Sequence, residues 1–119
     1  EGAGEDVFLG SQIAKAYVKG FQDDDLSKPN TILACAKHFA AYGAPQAGRD
    51  YHTVNMGEEE LRNVYLPPFK AAVDAGVETF MTAFNEINGV PATANKFIFQ
   101  EQNKKQQVKR ELKNMWMLF

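Results

Sequence analysis

The chain has 119 residues, of which 45% are hydrophobic, and its formal net charge is −2 at pH 7. A chain of this size and composition is expected to form one small globular domain. The slightly negative charge argues against nucleic acid and anionic membranes as partners, and no apolar run is long enough to span a bilayer.

The first half of the chain predicts a helix followed by a buried strand. In residues 9–22, apolar side chains recur every three to four positions, which predicts an amphipathic helix that Gly10 or Ser11 could cap. A polar loop follows. Residues 31–39, TILACAKHF, then predict a short strand buried on both faces, with Cys35 as a small buried hydrophobic residue.

The second half predicts another helix and another strand. Residues 57–75 have a helical pattern with Gly57 as N-cap and three glutamates in the first turn, where the helix dipole favours anions. Pro67-Pro68 must kink or interrupt this helix, and Gly76 is well placed to end it. Residues 77–84, VETFMTAF, predict the second strand.

The chain changes character near residue 100. Residues 1–99 carry 8 basic and 13 acidic side chains, whereas residues 100–119 carry 5 basic and 2 acidic ones. We therefore predict two parts, 1–99 and a divergent basic tail, 100–119. The tail is expected to be helical, because its apolar residues form a stripe: Val108, Leu112, Met115 and Phe119.

The predicted order is α–β–α–β–α, and strands that alternate with helices pair in parallel. A complete (β/α)₈ barrel needs roughly 250 residues. The sequence therefore predicts an α/β fold that is a segment of such a barrel. Unpaired strand edges invite association, so we expect the chain alone to self-associate or to be only marginally folded.

The carboxyl ends of parallel strands are where α/β folds place their sites. Lys37 and His38 end the first predicted strand, Phe84 and Asn85 end the second, and residues 49–52, RDYH, lie in a nearby loop. Such polar groups beside aromatic rings suit a neutral polyhydroxyl ligand. The two histidines and the lone cysteine lack the spacing of metal ligands, so the sequence predicts neither metal nor cofactor.

These residues also have purely structural interpretations. Lys37 could extend to solvent, and His38 could be a hydrogen-bonded core histidine. Arg49 and Asp50 could form an ion pair within their loop. Asn85 is a common turn residue.

Several stretches together resemble one known family. EGAGEDVFLG, KHFAAYG, GRDYHTV, LRNVYLPPFKAAVDAGV and MTAFNEINGVPATAN follow one another over residues 1–99. They resemble consecutive motifs of the family 3 glycoside hydrolases. KHFAAYG resembles the β-glucosidase/β-xylosidase branch, since the N-acetylglucosaminidase branch would read KHFPGHG.

The resemblance implies a β-glycoside substrate and a retaining mechanism with an Asp nucleophile and a Glu acid/base. It implies that Lys37 and His38, joined by a cis peptide bond, hydrogen-bond to the sugar in the −1 subsite. Arg49 would lie in the same pocket, and Met81 and Phe84 would help to wall it. Members of the family are often secreted or periplasmic, but residues 1–10 contain no signal-peptide pattern, so the location stays open.

The resemblance places the nucleophile in a later strand of the form V-[ST]-D-[WY], which is not recognisable in the tail. No catalytic residue is therefore assigned, and we expect the chain alone not to hydrolyse glycosides. Two alternatives stay open. One is a non-catalytic remnant that acts as a binding or interaction module, and the other is a Schiff-base aldolase-type barrel segment with Lys37 as the amine.

Overall fold

The computed structural model describes residues 2–98, Gln100 and the backbone of Met117 and Leu118. The helices are α1 (Val7–Gln22), α2 (Glu58–Glu60) and α3 (Leu66–Asp74), and the strands are β1 (Cys35–Phe39), β2 (Thr79–Thr82), β3 (Glu86–Ile87), β4 (Val90–Pro91) and β5 (Met117–Leu118). The predicted alternation of helix and strand is confirmed up to β2. The hairpin β3–β4 was not predicted.

The main sheet has the strand order β1-β2-β5, and both strand pairs are parallel. Phe80 of β2 lies opposite Met117 of β5. The prediction of a helix through the end of the tail is therefore wrong at Met117 and Leu118, where pairing with the second edge of β2 satisfies backbone groups. The rest of that helix falls outside the described residues, and so do its stripe positions Val108, Leu112, Met115 and Phe119.

Helix α1 begins earlier than the sequence pattern predicts. Asp6 is the N-cap, and its carboxylate accepts a hydrogen bond from the backbone N–H of Leu9 at 2.6 Å. The prediction of Gly10 or Ser11 as the cap is wrong. Both lie within the helix, and the Ser11 hydroxyl donates back to the carbonyl of Val7 at 2.7 Å. Asp6 satisfies a terminal N–H group that neither could reach.

The second helical region is interrupted where the prolines require it. A π-helical segment, Leu61–Tyr65, separates α2 from α3. Pro67 and Pro68 then fall in the first turn of α3, where helices tolerate residues without an N–H group. Gly76 has a φ of +88° just after α3 and ends it, as predicted.

The core lies between the sheet and the helices. The ring of Phe39 in β1 packs edge-on against Phe69 of α3 at 4.9 Å and against Phe80 of β2 at 5.9 Å, measured between ring centroids. These three rings join β1, β2 and α3. They fix the strand ends that carry the candidate site.

The strand begins at Cys35 and not at Thr31 as predicted, and both the segment that leads into it and one face of β1 are open. Ile32 and Leu33 are 63% and 58% exposed, and Cys35 is exposed as well. The predictions of a strand buried on both faces and of a buried Cys35 are therefore wrong. The described residues cover β1 from one side only.

Candidate functional site

The end of β1 contains a bulge that holds two of the predicted site residues. Ala36 lies opposite Phe80 and Phe39 opposite Thr82, so Lys37 and His38 together face the single residue Met81. The peptide bonds Lys37–His38 and Phe39–Ala40 are both cis. A bulge redirects side chains that a regular strand would point to opposite faces. Lys37 is exposed, and His38 is half-buried.

The loop after β1 is connected to His38 through Tyr42, a residue that the sequence pattern did not indicate as part of the site. The His38 ring meets the Tyr42 ring edge-on, with centroids 5.4 Å apart. The Tyr42 hydroxyl donates to Asp50 Oδ1 at 3.2 Å. The described residues contain no ion pair between Arg49 and Asp50. Asp50 instead accepts a hydrogen bond from Tyr42, which links the two ends of residues 42–50 within this loop.

The loops after β1 and β2 meet through two aromatic rings. Phe84 follows β2 and is 70% exposed, and Tyr51 is 77% exposed. Their ring centroids lie 6.2 Å apart with an angle of 41° between the ring planes. The sequence indicated that these two loops share one end of the sheet, but not that these two rings touch.

Asn85 is buried at the base of this arrangement. It is 2% exposed, and its side-chain amide donates to the carbonyl of Glu86 at 3.3 Å and, more weakly, to that of Ala40 at 3.5 Å. Its backbone carbonyl accepts from Ala92 at 2.9 Å. Asn85 thus links the end of β1 to the β3–β4 hairpin, which is more than the turn role that its residue type suggests.

The five predicted binding residues lie in β1, in β2 and in the segments that follow these two strands. Lys37 and His38 lie in the β1 bulge, Met81 lies opposite them in β2, Phe84 follows β2, and Arg49 lies in the loop after β1. Within the described part of the chain, no hydrogen bond or ion pair joins these side chains to one another. The fold places them at one end of the sheet, where a bound molecule could contact several of them.

The hydroxyl of Tyr42, at this end of the sheet, has a raised pKa that can be measured. Partial burial raises the pKa of its hydroxyl above the usual 10.0, and the Asp50 carboxylate raises it further. A raised folded-state pKa means that the folded state binds this proton more tightly. The resulting contribution to stability is complete below pH 10 and is lost as the pH rises through the folded-state value.

We predict that Asp50→Asn lowers the pKa of Tyr42 but leaves it above 10.0, because burial is the larger cause and remains. NMR titration of ring-labelled tyrosine measures this value directly. Asp74→Asn, which removes a carboxylate that pairs with Lys70, is the control. An unchanged Tyr42 pKa in Asp50→Asn would contradict the hydrogen bond.

A separate pocket of about 250 Å³ lies between α2 and the β3–β4 hairpin. None of the five predicted binding residues lines it. The polar side chains on its rim are already paired: Glu58 with Arg62, Asn88 with the backbone of Met56, and Asn95 with the N–H groups of Phe97 and Ile98. We therefore assign it no binding role.

The described residues contain no group of three or more His, Cys, Asp or Glu side chains placed to hold a metal ion. No helix among them has the length and apolar character needed to cross a membrane.

Comparison with known proteins gives a consistent result. Residues 1–108 match the family model described as the glycosyl hydrolase family 3 N-terminal domain. The chain is 41% identical over 101 residues to a periplasmic beta-glucosidase of Salmonella typhimurium, and 41% identical over 104 residues to an exo-1,4-beta-xylosidase of Emericella nidulans. Its fold matches a crystal structure of beta-glucosidase from Listeria innocua in complex with glucose, with a TM-score of 0.84 and 46% identity.

These matches cover most of this chain but a small part of the other proteins. The alignments cover 85% and 84% of this chain against 13% and 14% of the Salmonella and Emericella proteins. The structural match covers 91% of this chain and 15% of the Listeria enzyme. The chain thus corresponds to about one seventh of each relative.

Proposed function

This chain belongs to glycosyl hydrolase family 3, as a segment of its N-terminal (β/α)₈ barrel domain, and from that premise we propose that it carries part of the sugar-binding site of a β-glucosidase-type enzyme. The proposed ligand is the non-reducing sugar of a β-glycoside. The family match leaves no support for the aldolase-type alternative. The division into parts 1–99 and 100–119 stays a prediction.

The observation that carries this proposal is the bulge at the end of β1. It places Lys37 and His38 together opposite Met81, at the carboxyl ends of two parallel strands. A regular strand would send the two side chains to opposite faces of the sheet. The bulge therefore allows the ammonium group of Lys37 and the imidazole of His38 to contact the same small molecule.

Each proposed contact has a chemical reason. The Lys37 ammonium offers three donors, and His38 offers a donor and an acceptor, which suits neighbouring sugar hydroxyls. Arg49 adds further donors from the loop after β1. Met81 and Phe84 supply the apolar surface that the C–H face of a sugar ring requires.

The relatives support a β-glycoside as the substrate class and leave the choice of sugar open. One related structure contains glucose, and another relative is a xylosidase. We propose a β-glucoside or β-xyloside as substrate of the whole enzyme, cleaved with retention by two carboxylates. We propose no carboxylate of the described residues as the nucleophile or as the acid/base.

The test measures sugar binding by the 119-residue chain. Methyl β-D-glucoside is titrated into the ¹⁵N-labelled chain, and ¹H–¹⁵N NMR spectra show which residues respond. We predict shifts in residues 37–42, 49–52 and 81–85, with a Kd in the millimolar range, about −4 kcal/mol. Lys37→Met removes charged hydrogen-bond donors and should weaken binding about tenfold.

Lys19→Met is the matched control, because it removes an exposed lysine from α1. It should leave the Kd unchanged within twofold. The proposal fails if 100-fold excess sugar shifts none of the three segments, or if Lys37→Met binds as well as the unmodified chain. Parallel titration with methyl β-D-xyloside shows which sugar the site prefers.

A further inference from the structure

The turn of the β3–β4 hairpin is Asn88-Gly89, the only place in the sequence where an asparagine precedes a glycine. The two residues have φ values of +53° and +81°, and Ile87 pairs with Val90 across the turn. A two-residue turn with positive φ at both positions prefers Asn-Gly. The turn therefore accounts for the residue types, but not for the contacts of the Asn88 side chain.

The Asn88 side chain binds a third segment to the hairpin. Its Oδ1 accepts from the N–H of Met56 at 3.1 Å, and its Nδ2 donates to the carbonyl of Met56 at 2.9 Å. The backbone of Val54 lies alongside. Its N–H donates to the carbonyl of Glu86 at 3.0 Å, and its carbonyl accepts from the N–H of Asn88 at 2.8 Å. The Asn88 side chain thus makes two of the hydrogen bonds that join residues 54–56 to the hairpin.

This segment ends the loop that carries Arg49. The N–H of Gln46 donates to the carbonyl of Thr53 at 3.0 Å and closes the loop directly before residues 54–56. The two hydrogen bonds between Asn88 and Met56, called here the Asn88–Met56 pair, therefore help to attach the loop after β1 to the hairpin after β2.

The surroundings of Asn88 favour attack on its side-chain amide by the next backbone nitrogen. Gly89 is exposed, and in the described part of the chain its N–H donates no hydrogen bond. No atom beyond its neighbours lies within 4 Å of the position that a Cβ would take. The N–H of Met56, which donates to Oδ1, would stabilise the negative charge that develops on this oxygen during attack on Cγ.

We propose that Asn88 is a site of spontaneous deamidation, and that this modification breaks the Asn88–Met56 pair. The Gly89 nitrogen gives its proton to a solvent base and bonds to Cγ of Asn88, while the Cγ–Nδ2 bond breaks and ammonia leaves. Water then opens the cyclic imide at either of its carbonyl carbons, which gives aspartate or isoaspartate. One water is consumed and one ammonia is released, without oxidation or reduction.

Both products lack the donor that the Asn88–Met56 pair needs. A carboxylate has no N–H for the Met56 carbonyl, and its negative charge repels that oxygen. Isoaspartate also lengthens the main chain within the turn, whose length sets the register of β3 and β4. The modification thus loosens the loop from the hairpin. This inference goes beyond the proposed function and does not depend on sugar binding.

The first experiment incubates the 119-residue chain in mildly alkaline buffer and maps each converted asparagine by peptide mass spectrometry. Conversion should be fastest at Asn88 and should give both aspartate and isoaspartate, which is the mark of the imide route. The rate should rise with pH, because the Gly89 nitrogen must lose its proton. Other asparagines that convert as fast, or an Asn88 that keeps its amide throughout, would overturn the proposal.

The second experiment measures amide hydrogen exchange at Val54 in Asn88→Asp and in Asn88→Gly, which keeps the turn because Gly accepts positive φ. The partners of the Val54 backbone are the same in all variants, so faster exchange reports opening of residues 54–56. Exchange should become about tenfold faster in both variants, which corresponds to about 1.4 kcal/mol.

Asn95→Asp is the matched control. The Asn95 Oδ1 accepts from the N–H groups of Phe97 and Ile98, and a carboxylate can accept the same two hydrogen bonds. Exchange at Val54 should stay within twofold in this variant. Equal exchange in Asn88→Gly and Asn95→Asp, or a Val54 N–H that is unprotected already in the unmodified chain, would show that the Asn88–Met56 pair does not hold the segment.

Discussion

Replacing Gln22 with leucine is expected to lower the free energy of unfolding by about 3 kcal/mol, because three hydrogen bonds to backbone groups are lost. The Gln22 side chain is buried at the end of α1. Its carbonyl oxygen accepts from the N–H groups of Ala34 and Glu78, both at 3.1 Å, and its amide donates to the carbonyl of Gly76 at 2.8 Å. One side chain thus joins α1 to the segments that lead into β1 and β2.

Leucine has a similar volume but satisfies none of these groups, and an unpaired buried polar group costs about 1–3 kcal/mol. Urea denaturation followed by circular dichroism measures the total loss. Amide hydrogen exchange at Ala34 and Glu78 should show the loss of protection residue by residue.

Gln46→Leu is the matched control, because it makes the same replacement at an exposed position. It should change the free energy of unfolding by less than about 0.5 kcal/mol. Equal stability of Gln22→Leu and Gln46→Leu would contradict the role assigned to Gln22. A Gln22→Leu variant that is fully unfolded, beside a folded Gln46→Leu, would support it.

Local chemistry explains which elements could be predicted from the sequence. The position of Gly76 after a helical pattern, and of Pro67-Pro68 within one, restricts the backbone directly. Both predictions were confirmed. The role of Gln22 could not be predicted in this way, because its partner Gly76 is 54 positions away and the contact depends on how α1 packs.

The candidate site was predictable in its position but not in its details. The rule that α/β sites lie at the carboxyl ends of strands led to Lys37, His38 and Phe84. The bulge depends on backbone conformation, which residue type did not reveal. Tyr42 was missed because its importance comes from its contacts with His38 and Asp50.

The burial of β1 was predicted wrongly. The physical reason for this error also leads to a prediction about self-association. An apolar run such as TILACA indicates that its side chains favour burial. It does not indicate which element of the fold packs against them. In the described residues, Ile32 and Leu33 are more than half exposed, and β1 is an edge strand of its sheet. Exposed edges with apolar neighbours promote association.

We expect the 119-residue chain to self-associate through this surface, and Ile32→Lys combined with Leu33→Lys to weaken the association at least 100-fold. Burying each of these side chains against a second copy contributes about 1.5 kcal/mol or more, and a tenfold change in Kd corresponds to about 1.4 kcal/mol. The added charges also repel each other across an interface between two copies. Sedimentation velocity from micromolar to near-millimolar concentrations measures the change.

The matched control is Phe8→Lys combined with Leu9→Lys, which makes the same change at another adjacent pair of exposed apolar residues, 73% and 48% exposed. The pair lies at the start of α1, whereas Ile32 donates to the carbonyl of Phe21 near its end, about 20 Å away along the helix. If the apolar surface of Ile32 and Leu33, just before β1, drives association, only the Ile32/Leu33 variant becomes monomeric. Equal effects of the two variants would indicate non-specific apolar association, and an unmodified chain that is monomeric throughout would rule out self-association through this surface.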